Sequence, residues 1–77
     1  MNKGLKEHGI KLREQMLKFI SDYISENNYA PTVREIAKAV ELKSVSSVHS
    51  HLVNLEAEGR IKIVQYKTRG INVIGYK

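Results

Sequence analysis

Apolar side chains recur at Leu12, Met16, Phe19, Ile20, Tyr23 and Ile24, at offsets of 4, 7, 8, 11 and 12 from the first, which place them on one helical face. Lys11, Glu14, Lys18 and Asp22 fall largely off that stripe. Asn27-Asn28 predicts the end of the helix, because asparagine tolerates the left-handed conformation that closes one. Pro31 then pushes Ala30 out of the helical region, so Tyr29-Ala30-Pro31 reads as an extended link. Thr32-Val33-Arg34-Glu35 matches a capping box: the Thr32 hydroxyl can accept from the Glu35 amide while the Glu35 carboxylate reaches back to Thr32. The short helix it opens turns Ile36, Ala37 and Val40 inward, and Arg34 and Lys38 outward. Ala37 is small enough to let a following helix cross closely. Glu41-Leu42-Lys43 breaks the pattern. Ser44 then stands as the N-cap of a third helix, 44–58, with Val45, Val48, Leu52 and Leu55 as its buried stripe. Gly59 ends it.

After Gly59 the period changes from helical to alternating. Ile61-Lys62-Ile63 and Ile71-Asn72-Val73 read as strands, joined by the polar, basic run Gln65-Tyr66-Lys67-Thr68-Arg69-Gly70. This predicts a β-hairpin over 61–74 with a charged tip, where Tyr66 could lie against a sugar-phosphate or pack on the hairpin. Met1 to Gly9 shows no periodicity and reads as a flexible arm. The expected organisation is therefore an arm, 1–9, and one α+β domain, 10–77, of three helices followed by a hairpin.

Charge changes the picture once it is located. The net +5 of the 77 residues is not spread evenly: residues 1–59 carry eight basic and eight acidic side chains, whereas Arg60, Lys62, Lys67, Arg69 and Lys77 follow with no acid. A second acid-free stretch runs from Leu42 to Leu55. Single-sign surface of this kind attracts polyanions, nucleic acid first. There is no cysteine, hence no disulfide framework and no thiolate metal site. No apolar run approaches the roughly 20 residues of a membrane span, and the N-terminus lacks a signal-peptide core. A soluble, cytoplasmic protein without membrane partners is expected.

Two short helices joined by a tight turn, the second free of acids as far as Leu55, have the layout of a helix-turn-helix, in which the second helix enters the major groove. Ser46, Ser47, His49, Ser50 and Asn54 form the outward positions of the third helix, short donors and acceptors that can approach base edges. Serine is a mediocre helix former, so this density has no return in helix stability. Thr32, Arg34, Lys43 and Asn54, with Lys67 and Arg69 of the hairpin wing, are the candidate backbone contacts. Glycine often occupies the turn position held here by Glu41, so this turn is expected to be built differently. His49 and His51 lie two apart, on opposing sides of a helix, which argues against a metal pair. No acidic orienter accompanies the serines and histidines, which argues against hydrolase chemistry. No cofactor is implied. Competing readings are a winged helix that binds protein and a nucleic-acid binder without sequence preference.

Four blocks carry a resemblance: Thr32-Val33-Arg34-Glu35-Ile36-Ala37, Ser46-Ser47-Val48-His49-Ser50-His51-Leu52, Leu55-Glu56-Ala57-Glu58-Gly59-Arg60-Ile61, and Arg69-Gly70-Ile71. In order and spacing they resemble the N-terminal DNA-binding domain of LexA repressors, from about Glu14 to Ile74. The resemblance implies a winged helix-turn-helix that binds a double-stranded operator half-site and represses transcription. It implies base reading by Ser44, Ser46, Ser47, His49 and Ser50, and backbone contact by Lys67 and Arg69. Single half-sites should be held weakly and palindromes tightly, by two copies. Gly9-Ile10-Lys11-Leu12-Arg13 departs from the family's usual start to the first helix, and with a serine-rich outer face on the third helix the preferred operator need not be the family's common one. With the sequence ending at Lys77, the family's dimerising, self-cleaving C-terminal domain is not represented, and no self-cleavage is implied.

Overall fold

A computed structural model describes residues 2–65 and 67–74, with side chains from Gly9 onward. Helix α1 spans Asn2–Asn27, α2 Val33–Ala39 and α3 Val45–Ala57; strands β1, Ile61–Ile63, and β2, Ile71–Val73, complete the chain order. The strands pair antiparallel in the register Ile61↔Val73, Lys62↔Asn72 and Ile63↔Ile71. The expected α+β arrangement of three helices and a hairpin is what the chain adopts. One difference lies at the start. The helical backbone reaches back to Asn2, through the segment whose pattern reads as an arm. Two glycines cost a helix only about 1 kcal/mol each relative to alanine, and the lysines, glutamate and leucine among them favour it.

The core is built from one face of each helix and the inner side of the hairpin. Met16, Leu17 and Ile20 of α1 meet Ile36 and Ala37 of α2, then Val48, Leu52 and Leu55 of α3, with Ile61 and Ile71 closing the end. Leu17 is fully buried although the first-helix stripe omits it; α2 and α3 both press on α1, which widens its buried face. Val45 departs in the other direction. It is 45% exposed, because it lies in the first turn of α3 and about 50° round the helix from the centre of the Val48–Leu55 stripe.

Each helix ends as its local chemistry dictates. Asn28 takes φ +66° after α1. At the end of α3, Gly59 has φ +76°, and the Gly59 and Arg60 amides donate back to the Glu56 and Leu55 carbonyls at 2.9 and 3.0 Å, a Schellman closure. The same closure ends α2: the Glu41 and Leu42 amides donate to the Lys38 and Ala37 carbonyls at 3.3 and 2.8 Å. Here Glu41 itself adopts φ +59°. The turn is thus not built differently; a glutamate occupies the left-handed position that glycine would take more cheaply. The capping box at α2 is complete, with Glu35 N donating to Thr32 Oγ1 at 3.1 Å and Thr32 N to Glu35 Oε1 at 2.8 Å.

Candidate nucleic-acid interface

Burial of Val48, Leu52 and Leu55 fixes which side of α3 faces out. Ser46, His49, Ser50 and Asn54 are exposed there, as the spacing implies, and Lys43 is exposed at the entrance to the helix. Ser44 also serves the helix itself, since its hydroxyl oxygen accepts the Ser47 amide at 3.3 Å and caps α3. Ser47, in the same first turn, is half-buried. On α2, Arg34 is exposed, whereas Thr32 is half-buried with its hydroxyl and amide both engaged by Glu35.

Side-chain contacts among the described residues tie the hairpin to the helices. Ile63 N donates to the Glu56 carboxylate at 2.9 Å, which fastens β1 to α3. Arg60 grips the Glu14 carboxylate of α1 with both guanidinium nitrogens, and the hydrogen bonds from Arg60 hold the Glu14 carboxyl below its usual range. The third tie is Arg69. Its Nη1 donates to Glu35 Oε1 at 3.0 Å, to the Ala30 carbonyl at 2.9 Å and to Tyr23 Oη at 3.3 Å, while Nη2 reaches Glu35 Oε2 at 3.3 Å. The guanidinium also lies 4.8 Å from the Tyr29 ring centroid, a cation–π contact. Arg69, and after it the Thr32 backbone amide, lower the Glu35 carboxyl to about 2. One carboxylate therefore caps α2 and anchors the hairpin.

Comparison with known proteins bears on this arrangement directly. The chain matches the LexA DNA binding domain family over residues 11–70. It is 49% identical over 65 residues to a LexA repressor of Clostridium botulinum, covering 84% of this chain and 32% of that protein. It is also 43% identical over 70 residues to a LexA repressor of Caldicellulosiruptor saccharolyticus, covering 91% of this chain and 35% of that protein. This chain belongs to the LexA DNA-binding domain family. It spans about a third of the length of these relatives.

Within this LexA-type domain the basic excess is distributed differently from its sequence position. Of the cations after Gly59, Arg60 and Arg69 are paired with carboxylates of α1 and α2, Arg69 while still exposed, which leaves Lys62 and Lys67 as the exposed basic side chains of the described hairpin outside those ion pairs. Tyr66 and Lys77 lie outside the described residues. Between α3 and the hairpin runs an open groove of about 450 Å³, with His49 and Val53 on one wall and Lys67 and Thr68 on the other. His49 and Lys67 are thus brought to one feature; Arg69, although in the same hairpin, is committed to Glu35. Sequence pattern marks Glu35 as a cap but not as the hairpin's anchor, and it does not single out Glu56 or Val53. The Glu35–Arg69 tie bridges 34 positions, and no local periodicity reports a contact of that range.

Proposed function

We propose that this domain binds double-stranded DNA sequence-specifically, with α3 in the major groove and the 61–74 hairpin along the neighbouring backbone, as the operator-reading part of a transcriptional repressor. The observation that carries this reading is the exposed face of α3. It presents Ser46, His49, Ser50 and Asn54, with no acid from Leu42 to Leu55, beside a hairpin whose Lys67 faces the same groove. Ser46, His49 and Ser50 read base edges; Ser44 and Ser47 also approach them, Ser44 through a hydroxyl that caps the helix and can still donate outward. Lys43, Asn54 and Lys67 hold phosphates, with Arg34 and Thr32 at the near end of α2. Arg69 supports the wing from within, since a phosphate would have to displace Glu35 to take it.

Two copies bind a palindrome, one per half-site. Cooperative or linked binding at adjacent half-sites raises affinity well above that of one copy. A DNA ligand supports a cytoplasmic working site, and no helix among the described residues is long and apolar enough to cross a membrane.

Titration of the isotope-labelled domain with a mixed-sequence duplex at low salt, followed by amide NMR shifts, tests the interface. Shifts should concentrate in 43–54 and in the described hairpin residues, and spare the solvent face of α1 around Gln15 and Ser25. Shifts centred on α1, or none, would refute the placement.

A further inference from the structure

Val45 stands out on α3. It is apolar, 45% exposed, and flanked by Lys43, Ser44, Ser46 and Ser47. It neither caps the helix, which Ser44 does, nor enters the core, which Val48, Leu52 and Leu55 fill. Valine is a weaker helix former than alanine, so the position gains nothing in helix stability from it. It occupies the first position of α3, and the N-terminal residues of a recognition helix are those that reach base edges. Its Cβ leans toward the helix N-terminus, the direction of approach to the groove floor. Branching at Cβ leaves essentially one side-chain rotamer in a helix, so its two methyls are presented rigidly.

We infer that Val45 is a base-reading residue that packs against the C5-methyl group of a thymine in the major groove. The inference rests on the DNA-binding reading above. That methyl is the apolar group among those that base pairs present to the major groove. Val45 and the other exposed valine of α3, Val53, lie eight positions or about 12 Å apart along the helix, too small and scattered an apolar surface to anchor a protein partner, which needs a buried cluster. The acid-free run 42–55 and the exposed Lys43 beside it suit a polyanion instead.

The test uses the duplex recovered by selection from random sequence, with each thymine of the half-site replaced in turn by deoxyuridine, which removes only the methyl. Binding is measured by fluorescence anisotropy for the unaltered protein, Val45→Ser and Val45→Thr, with circular dichroism confirming that each variant folds. Loss of one buried methyl should weaken binding of the unaltered protein about fourfold at one thymine. Val45→Ser should be indifferent to that uridine, and Val45→Thr, which keeps one methyl, should lose roughly twofold. Uridine tolerated at every thymine, or a loss of equal size in Val45→Ser, overturns the assignment. If selection enriches no sequence, the DNA reading itself fails and takes this assignment with it.

Discussion

Glu41 holds φ +59° in the closure of α2, and a side chain in that region is strained by about 1 kcal/mol relative to glycine. Glu41→Gly should therefore stabilise the domain by about 0.5–1 kcal/mol and raise Tm by about 2–8 °C in a thermal melt, despite the extra freedom it gives the unfolded chain. A lowered Tm would show that Glu41 makes a compensating contact. At Glu35, depression of the folded carboxyl from 4.5 to about 2 means that its contribution is complete above pH 4.5. It is lost as pH falls through the interval down to about 2. Glu35→Gln should lower stability at neutral pH and flatten the acid side of the stability curve; an unchanged acid limb would remove Glu35 from that role. The local half of this chemistry is legible in the sequence. Thr32 and Glu35 sit three apart, and the capping box follows from that spacing alone, whereas Arg69 is invisible to it.

At the scale of elements, periodicity and stop residues mark α1, α2, α3 and the two strands, because amphipathic stripes and left-handed termini are local properties. What periodicity cannot report is how far each stripe is covered. Val45 continues the α3 spacing and yet is exposed, and Leu17 breaks the α1 spacing and yet is buried, since burial depends on which neighbour lies opposite. The hairpin shows the same division: its strands alternate visibly, but the partners of its two arginines do not. This separates two variants that sequence position alone treats alike. Lys67→Ala should weaken binding to all duplexes and reduce the log-log salt slope by about one unit. Arg69→Ala should leave the slope unchanged but speed amide hydrogen exchange at Val64 and Ile74, whose amides donate to the Gly70 and Arg60 carbonyls at 2.7 and 2.8 Å. A slope change for Arg69→Ala would return it to the phosphate backbone. Gly70 has a separate constraint, since a Cβ there would stand 2.5 Å from the Val64 carbonyl oxygen.

For the whole molecule, 77 residues make one small core, so each large buried side chain weighs heavily. Leu52 is 2% exposed at the back of the reading helix. Leu52→Ala should cost about 2–5 kcal/mol, a large share of what a domain of this size has, and should lose DNA binding together with its thermal transition. Net charge at this scale is the most misleading signal. Its location in the last 18 residues points to a uniformly basic wing, but Arg60 and Arg69 are paired with carboxylates of α1 and α2, so the proposed sequence reading rests on α3. Selection from random duplex DNA, run in parallel at low and at high salt, tests that most directly. The same short motif should emerge at both salts, with affinity falling as salt rises. Enrichment of no motif, or of one that vanishes at high salt, would contradict sequence reading by α3.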